Sequence, residues 1–367
     1  MVPITAFSRF EHIDTITFSE NTQQTLRTNG GLIPNDRFMN GLVLEFRGRL
    51  TMPASTGPSA VQGDAHAAII ERVTVEGYHK VRRQQEKFID LRGADLEMLQ
   101  RFYQPSSLVK LPTTISVTAN ATNDMVFQIV VPFTPLRVSS AIQAGYLLDA
   151  PNYESLKLTI QWGDFKSVVV AGATAATWSA YGSTTGTPEL RVAGQFAIQK
   201  TRFANFVPGR IWRYFQEISG SIPTTTQTGA RVWDIPRGFD VRGVLLKTGT
   251  KATTATAGNN TYATLTEYLS DLRVNMGLGK YIRRYLDFNA AYADVAQSYN
   301  LPARVTGAAL IDFAQYGNPG EVLNTRALIS GPTGNVDLYL QADVTGAAAQ
   351  SMVATLEEWR YRPIVGS

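Results

Sequence analysis

Two all-β domains in tandem, each with one helix set among its strands, are what this sequence predicts. Three observations carry the prediction: an internal repeat, a strand-like pattern along most of the chain, and one amphipathic stretch at the matching place in each half. Ile33-Pro34, six residues, Gly41 and Leu42-Val43-Leu44 return 202 residues later as Ile235-Pro236, six residues, Gly243 and Val244-Leu245-Leu246. Val73-Thr74-Val75 answers Leu272-Arg273-Val274 at an offset of 199. Ile89-Asp90-Leu91, with Gln100 and Phe102, answers Leu286-Asp287-Phe288, with Gln297 and Tyr299, at 197. Leu158-Thr159-Ile160-Gln161 answers Leu338-Tyr339-Leu340-Gln341 at 180. Any one echo is short enough to arise by chance. Four in one order, with an offset that only falls, point to duplication followed by loop shortening in the second copy.

The 367 residues suit two domains, each large enough to bury its own core. The predicted division is 1–205, with an N-terminal arm, and 206–367, joined through Phe206-Val207-Pro208-Gly209-Arg210. Alternating or β-branched runs bounded by Gly, Pro, Asn and Thr predict strands near 13–19, 40–51, 68–76, 79–89, 113–120, 126–133, 154–162 and 190–199. The second half predicts them near 212–219, 240–250, 266–275, 279–287, 305–313, 323–330, 335–343 and 351–361. Eight strands per copy is the count of a jelly roll, so the expected fold is all-β: two tandem eight-stranded jelly rolls, each with one inserted α-helix. The helices are expected at 91–102, with Asp90 as N-cap, and at 288–299. In the second, Phe288, Ala291, Tyr292, Val295 and Tyr299 fall on one face. Long polar loops are expected at 53–64, 171–188 and 251–264.

Composition argues against several kinds of chemistry. There is no cysteine, which removes thiolate metal sites and disulfides and fits assembly in a reducing cytoplasm. The three histidines, His12, His66 and His79, are too scattered for a metal-binding β-sandwich. No Gly-x-Ser-x-Gly elbow and no phosphate-binding loop occurs. Asp149, Glu154 and Asp164, or Asp234, Asp240 and Asp271, supply carboxylates for glycoside hydrolysis, but their spacing fits turn and surface roles better. Net charge is only +4, unlike the clustered excess of a nucleic-acid binder. No basic-then-apolar start and no run of 18 apolar residues is present, so neither a secretion signal nor a membrane span is expected. The sequons at Asn120 and Asn259 or Asn260 accordingly carry little weight. No cofactor and no catalysis are expected.

One charge feature repeats: Lys80-Val81-Arg82-Arg83 and Lys280-Tyr281-Ile282-Arg283-Arg284. Matching placement would set Arg82, Arg83, Arg283 and Arg284 on one face, able to meet a neighbour's carboxylates or phosphate. A solvated strand end is the plainer reading.

The paired units, the strands after Ile33-Pro34 and Ile235-Pro236, and the helices at 91–102 and 288–299 resemble the double jelly-roll major capsid proteins. That lineage includes tectiviruses and adenovirus hexons, and the smaller bacterial or archaeal virus members are the nearer likeness. The resemblance spans about Arg9 to Arg362. It implies a homotrimer, a pseudo-hexameric capsomer that tiles an icosahedral shell after synthesis in the host cytoplasm. Implied partners are the chain itself, neighbouring trimers, other capsid proteins such as a vertex protein, and an internal membrane or genome beneath the shell. Tyr78, Trp212, Tyr214, Trp359 and Tyr361 are candidate interface anchors. The alternative is a carbohydrate-active tandem β-sandwich: a glycan-binding module, glycosidase or amidase.

Overall fold

The computed structural model describes residues 7–27, 33–63, 65–103, 115–133, 147–170, 172–197, 211–220, 222–251, 262–277, 281–299, 304–313, 323–325, 337–347 and 350–361. The chain divides into two compact units, the second made of Phe215–Thr253 and Tyr262–Arg360, so that the break at Tyr214/Phe215 falls within the first strand of the second jelly roll. The joint expected at 206–210 and most of the loop expected at 251–264 lie outside the described residues.

The first unit contains β1 (Phe7–Thr17), β2 (Gln23–Arg27), β3 (Met39–Thr51), β4 (Ile70–His79), β5 (Gln84–Leu91), helix α1 (Gly93–Tyr103), β6 (Thr122–Pro132), β7 (Tyr153–Trp162), the short β8 (Thr177–Ser179) and β9 (Glu189–Ala197). One sheet runs β1-β9-β3-β6, with β8 also on β3; the other runs β5-β4-β7-β2. The second unit contains β10 (Ile211–Gly220), β11 (Gln227–Asp234), β12 (Asp240–Lys251), β13 (Tyr262–Leu265), β14 (Leu269–Met276), β15 (Tyr281–Tyr285), helix α2 (Phe288–Tyr299), β16 (Ala308–Asp312), the two-residue β17 (Leu323–Asn324), β18 (Leu338–Val344) and β19 (Gln350–Tyr361). Here β19 lies between β10 and β12, β16 pairs with β12, and the facing sheet runs β11-β18-β14-β15. Relabelled by position, the eight-strand order is the same in both units. Each is a jelly roll, and each helix joins the end of one sheet to the start of a strand in the other.

The registers confirm the duplication more firmly than the residue echoes do. A β-bulge falls between Met39 and Gly41 where β3 pairs with β9, and between Val241 and Gly243 where β12 pairs with β19. The bulged residues, Asn40 and Arg242, each accept a backbone hydrogen bond from a phenylalanine: Phe133 N at 2.9 Å and Phe313 N at 2.7 Å. A second bulge follows Val75 opposite Phe88, and Val274 opposite Ile282. Bulges re-aim side chains and fix pairing, so two at matching points mark common descent of the two sheets.

These registers also correct the sequence alignment. Val75 lies opposite Leu158 and Val274 opposite Leu340, so the fourth echo is offset by 182, not 180. Phe133 and Phe313 stand 180 apart, so the offset does not fall without exception; the second copy is two residues longer between that point and the next strand. The strand expected near 113–120 is not a strand over the described 115–120. Asn123 holds this stretch instead: its Oδ1 accepts from Ser116 N at 2.7 Å, and its Nδ2 donates to Ser116 O at 2.9 Å. Asn120 then turns the chain with φ +58°. Of the strand expected near 323–330, only 323–324 is paired, Thr325 is not, and the remainder lies outside the described residues. The eighth strand of each copy is β2 or β11, both at a sheet end and both too polar to signal themselves.

Apolar alternation builds the cores. In β3, Leu42, Leu44, Phe46 and Leu50 are all fully buried. Phe46 stacks on Phe127 at 5.2 Å and Phe18 meets Trp162 edge-on at 5.1 Å, contacts worth about 0.5–1.5 kcal/mol each beyond burial. In the second unit Leu246, Leu272, Val274, Phe288, Ala291, Ile311 and Leu340 belong to one cluster.

Candidate functional site

The repeated basic segments occupy different local structures. Lys80 to Arg83 make the turn between β4 and β5, where Arg83 has φ +52° and donates its N–H to His79 O at 2.9 Å. Arg82 is folded back onto Glu86, with Nη1 3.4 Å from the carboxylate. Glu86 is buried and also accepts from the Tyr153 hydroxyl. Arg283 and Arg284 sit within β15, opposite Val274 and Arg273. Adjacent strand residues face opposite ways, so these two do not share a face. Arg283 lies on the side of buried Val274, half-buried, with its Nε making no hydrogen bond. Arg284 is half-exposed and clasps Asp271 at 2.8 and 3.1 Å. The expectation of four arginines on one face therefore fails at β15, because the repeat aligned by composition is not aligned by register.

Register pairs these residues differently. Thr74 lies opposite Asp90, and Arg273 opposite Arg284. Preceding them, Arg72 matches Asp271. Arg72 donates from Nε to Asp90, and Arg284 donates from Nε to Asp271. One cross-strand ion pair is thus present in both units with its charges exchanged. Burial raises the Asp90 carboxyl, but hydrogen bonds from Arg72 and Lys87 overcome this and hold it below its ordinary value. Asp271, gripped by Arg273 and then Arg284, is held far below the usual carboxylate range.

The helix caps also diverge. Asp90 lies inside β5 and pairs with cations, so it is not the N-cap expected for α1. Asp287 does cap α2, accepting from Ala290 N at 2.8 Å, and this bond lowers its pKa. Beside α2, Tyr285 on the preceding strand donates to the helix residue Asp294 at 2.7 Å; burial, reinforced by that acceptor, pushes the phenol up.

The other candidates are mostly structural. Asp149 accepts from Asn152 in the turn before β7, and Asp164 caps a 3-10 turn by accepting from Lys166 N at 2.9 Å. Asp234 pairs with Arg231, while Asp240 is buried at the start of β12. Glu154 lines a surface cleft of about 480 Å³ with Glu76, Tyr78, Gln85 and Lys157. Among the described residues no group of three or more His, Asp or Glu is placed to hold a metal ion. Tyr78 is 38% exposed at the rim of that cleft. The side chains of Trp212, Tyr214, Trp359 and Tyr361 lie outside the described residues. Composition did not single out Val81 and Leu286, which are 66% and 73% exposed, the largest values among the bulky apolar residues described. Their sequence neighbourhoods read as strand ends.

Fold and surface together define a tandem jelly-roll protein whose carboxylates are largely engaged in turns and ion pairs. No protein-family model matches the chain, and no curated protein sequence matches it. Solved structures do. The chain is similar to a chain of the Sulfolobus Turreted Icosahedral Virus atomic structure at 13% identity and TM-score 0.63, over 97% of this chain and 91% of that one. It is similar to the major capsid protein of Bacteriophage PM2 at 11% identity and TM-score 0.58, over 98% and 99%. A PBCV-1 virus capsid chain matches at 12% identity and TM-score 0.58, over 98% and 95%. At such identities the likeness is one of fold, and it takes in both units.

Proposed function

We propose that this chain is a structural coat protein of an icosahedral virus, assembling as a pseudo-hexameric homotrimer that tiles the shell of the virion after synthesis in the host cytoplasm. The observation that carries the reading is the match, over nearly the full length of both chains, to viral major capsid proteins. Duplication gives mechanical sense to it: three chains with two equivalent jelly rolls each offer six similar barrels, and cyclic symmetry closes the ring with one kind of contact. In this reading each jelly roll is a domain, 1–205 and 206–367, and the partners are other copies, a vertex protein, and a membrane or genome beneath the shell. Arg83 and Arg284 are the better placed of the four arginines for such contacts, since Arg82 and Arg283 turn inward. Size-exclusion chromatography with light scattering tests the proposal, with a trimer expected and hexagonal outlines in negative stain. A protein that stays a single chain at every concentration overturns it.

The cleft holding Glu76, Glu154 and Tyr78 favours a second reading, a carbohydrate-active tandem sandwich. Glycan-array binding that is lost in Tyr78→Ala would support it; a blank array removes its main basis.

A further inference from the structure

The turn between β4 and β5 is tied by a side chain that titrates near neutral pH. His79, the last residue of β4, holds two successive amides of the turn that follows it. Its carbonyl accepts from Arg83 N at 2.9 Å, and its ring Nδ1 accepts from Arg82 N at 3.2 Å. This is the bonding of a helix N-cap, in which one residue takes one amide through its backbone and one through its side chain. A ring nitrogen that accepts a hydrogen bond carries no proton, so this imidazole is neutral, with its proton on Nε2.

The ring is buried and meets the Tyr153 ring edge-on at 5.2 Å. Among the described residues, the titratable and charged groups around it are Glu86 from β5, Tyr153 from β7, and Lys80, Arg82 and Arg83 from the turn. Glu86 lies opposite Gly77, two residues along the same face of the sheet. It is buried and accepts from the Tyr153 hydroxyl, from Gln84 Nε2 at 3.3 Å and from Arg82 Nη1 at 3.4 Å. Lys80 Nζ donates to Pro151 O at 2.8 Å. Glu86 favours a charged ring, while burial and the three cations oppose it, and their balance sets the pH at which His79 titrates. The balance does not alter what protonation does. An imidazolium donates from both nitrogens, so Nδ1 would then point an N–H at the Arg82 N–H and the tie would be lost.

We infer that the β4–β5 turn is an acid-released latch: neutral His79 holds it shut, and protonation of the ring frees Arg82 N and loosens residues 80–83. Arg83 sits at positive φ in this turn, a conformation that depends on such ties to persist. The turn carries Val81, 66% exposed, among Lys80, Arg82 and Arg83, so release changes how a basic tip with one apolar residue is presented. The device lies within the first unit and does not depend on the coat-protein reading.

The chain has no cysteine, so Val81→Cys takes a single nitroxide spin label at an exposed position. The expected result is a label that becomes reversibly more mobile as the pH is lowered from about 8 to about 5, across the histidine range. His79→Asn keeps an acceptor at the same side-chain position and cannot titrate, so in that background the label should move equally at both ends of the range. No change with His79 present, or the same change with asparagine, overturns the inference. Should the His79→Asn variant fail to fold, the unaltered chain decides. Exchange of the Arg82 amide, corrected for its intrinsic rate, should be about ten-fold faster at the acid end, as expected for one lost hydrogen bond. Its midpoint should coincide with that of the His79 ring protons. An unchanged rate, or a midpoint that departs from that of His79, overturns the latch as well.

Discussion

At the bulge shared by the two units, the same backbone carries opposite chemistry. In the first, Asn40 donates to Gln195 at 2.6 Å, a neutral, half-buried pair. In the second, Arg242 lies 3.5 Å from Glu357 and 3.8 Å from Asp312, all three at most 2% exposed. Backbone geometry was kept through duplication while side-chain polarity was not. The fully buried Arg242 is sustained by the two carboxylates beside it, because a buried cation without them is too costly to keep.

The largest test of this contrast is to truncate both bulge residues. Arg242→Ala strands buried carboxylates and should cost about 3–5 kcal/mol in urea unfolding. Asn40→Ala loses a half-buried neutral bond and should cost about 1 kcal/mol. Equal losses would break the comparison. A second contrast lies at the two aspartates that the sequence aligns. Asp287→Ala should cost about 1 kcal/mol, and Asp287→Ser should restore most of it, since serine also caps. At Asp90 serine should restore nothing, because Arg72 and Lys87 need a charge. Thermal unfolding of the four variants decides, and rescue by serine at both sites would mean that Asp90 caps after all.

The exchanged ion pair offers a smaller effect. Arg72→Asp or Asp90→Arg alone sets like charges together, while the double variant copies the polarity of the second unit. We expect each single variant to lose about 0.2–1 kcal/mol and the double to recover it in a double-mutant cycle. Smallest is the acid dependence. Asp271 has its folded pKa depressed below the ordinary 3.8, so its contribution is present above that value and is lost as pH falls through and below it. Asp271→Asn should flatten the stability profile between about pH 5 and 2. An unchanged slope would show that the Arg273–Asp271–Arg284 cluster contributes nothing to folding.

Much of the fold could be read from residues because strands such as β3 and β18 alternate in burial along their length. Leu42-Val43-Leu44 and Val244-Leu245-Leu246 do sit on equivalent strands, and both helices lie where their periodicity puts them. What failed has separate physical causes. β2 and β11 are sheet-end strands, paired on one side, so Gln23-Gln24-Thr25-Leu26-Arg27 needs little apolar surface and leaves no pattern. The same strand was therefore missed twice. The arginine face failed because a turn can be built from the residues that elsewhere extend a strand: Arg83 adopts positive φ, whereas Arg283 and Arg284 lie in the ladder. Composition repeats do not report register. Nor does the sequence distinguish Val43 from Leu245, which occupy equivalent places and are both apolar, although the first is partly exposed and the second is buried.

The paired bulges carry one practical consequence. Because each repeat is clamped at two fixed points, connections between strands have changed length freely while the ladders stayed in step. The tight reversal from Ala180 to Gly186 is such a connection, with Gly182 and Gly186 at positive φ and open space around Gly182. A foreign peptide spliced there would be carried outward on a rigid frame, making the chain a natural platform for epitope display.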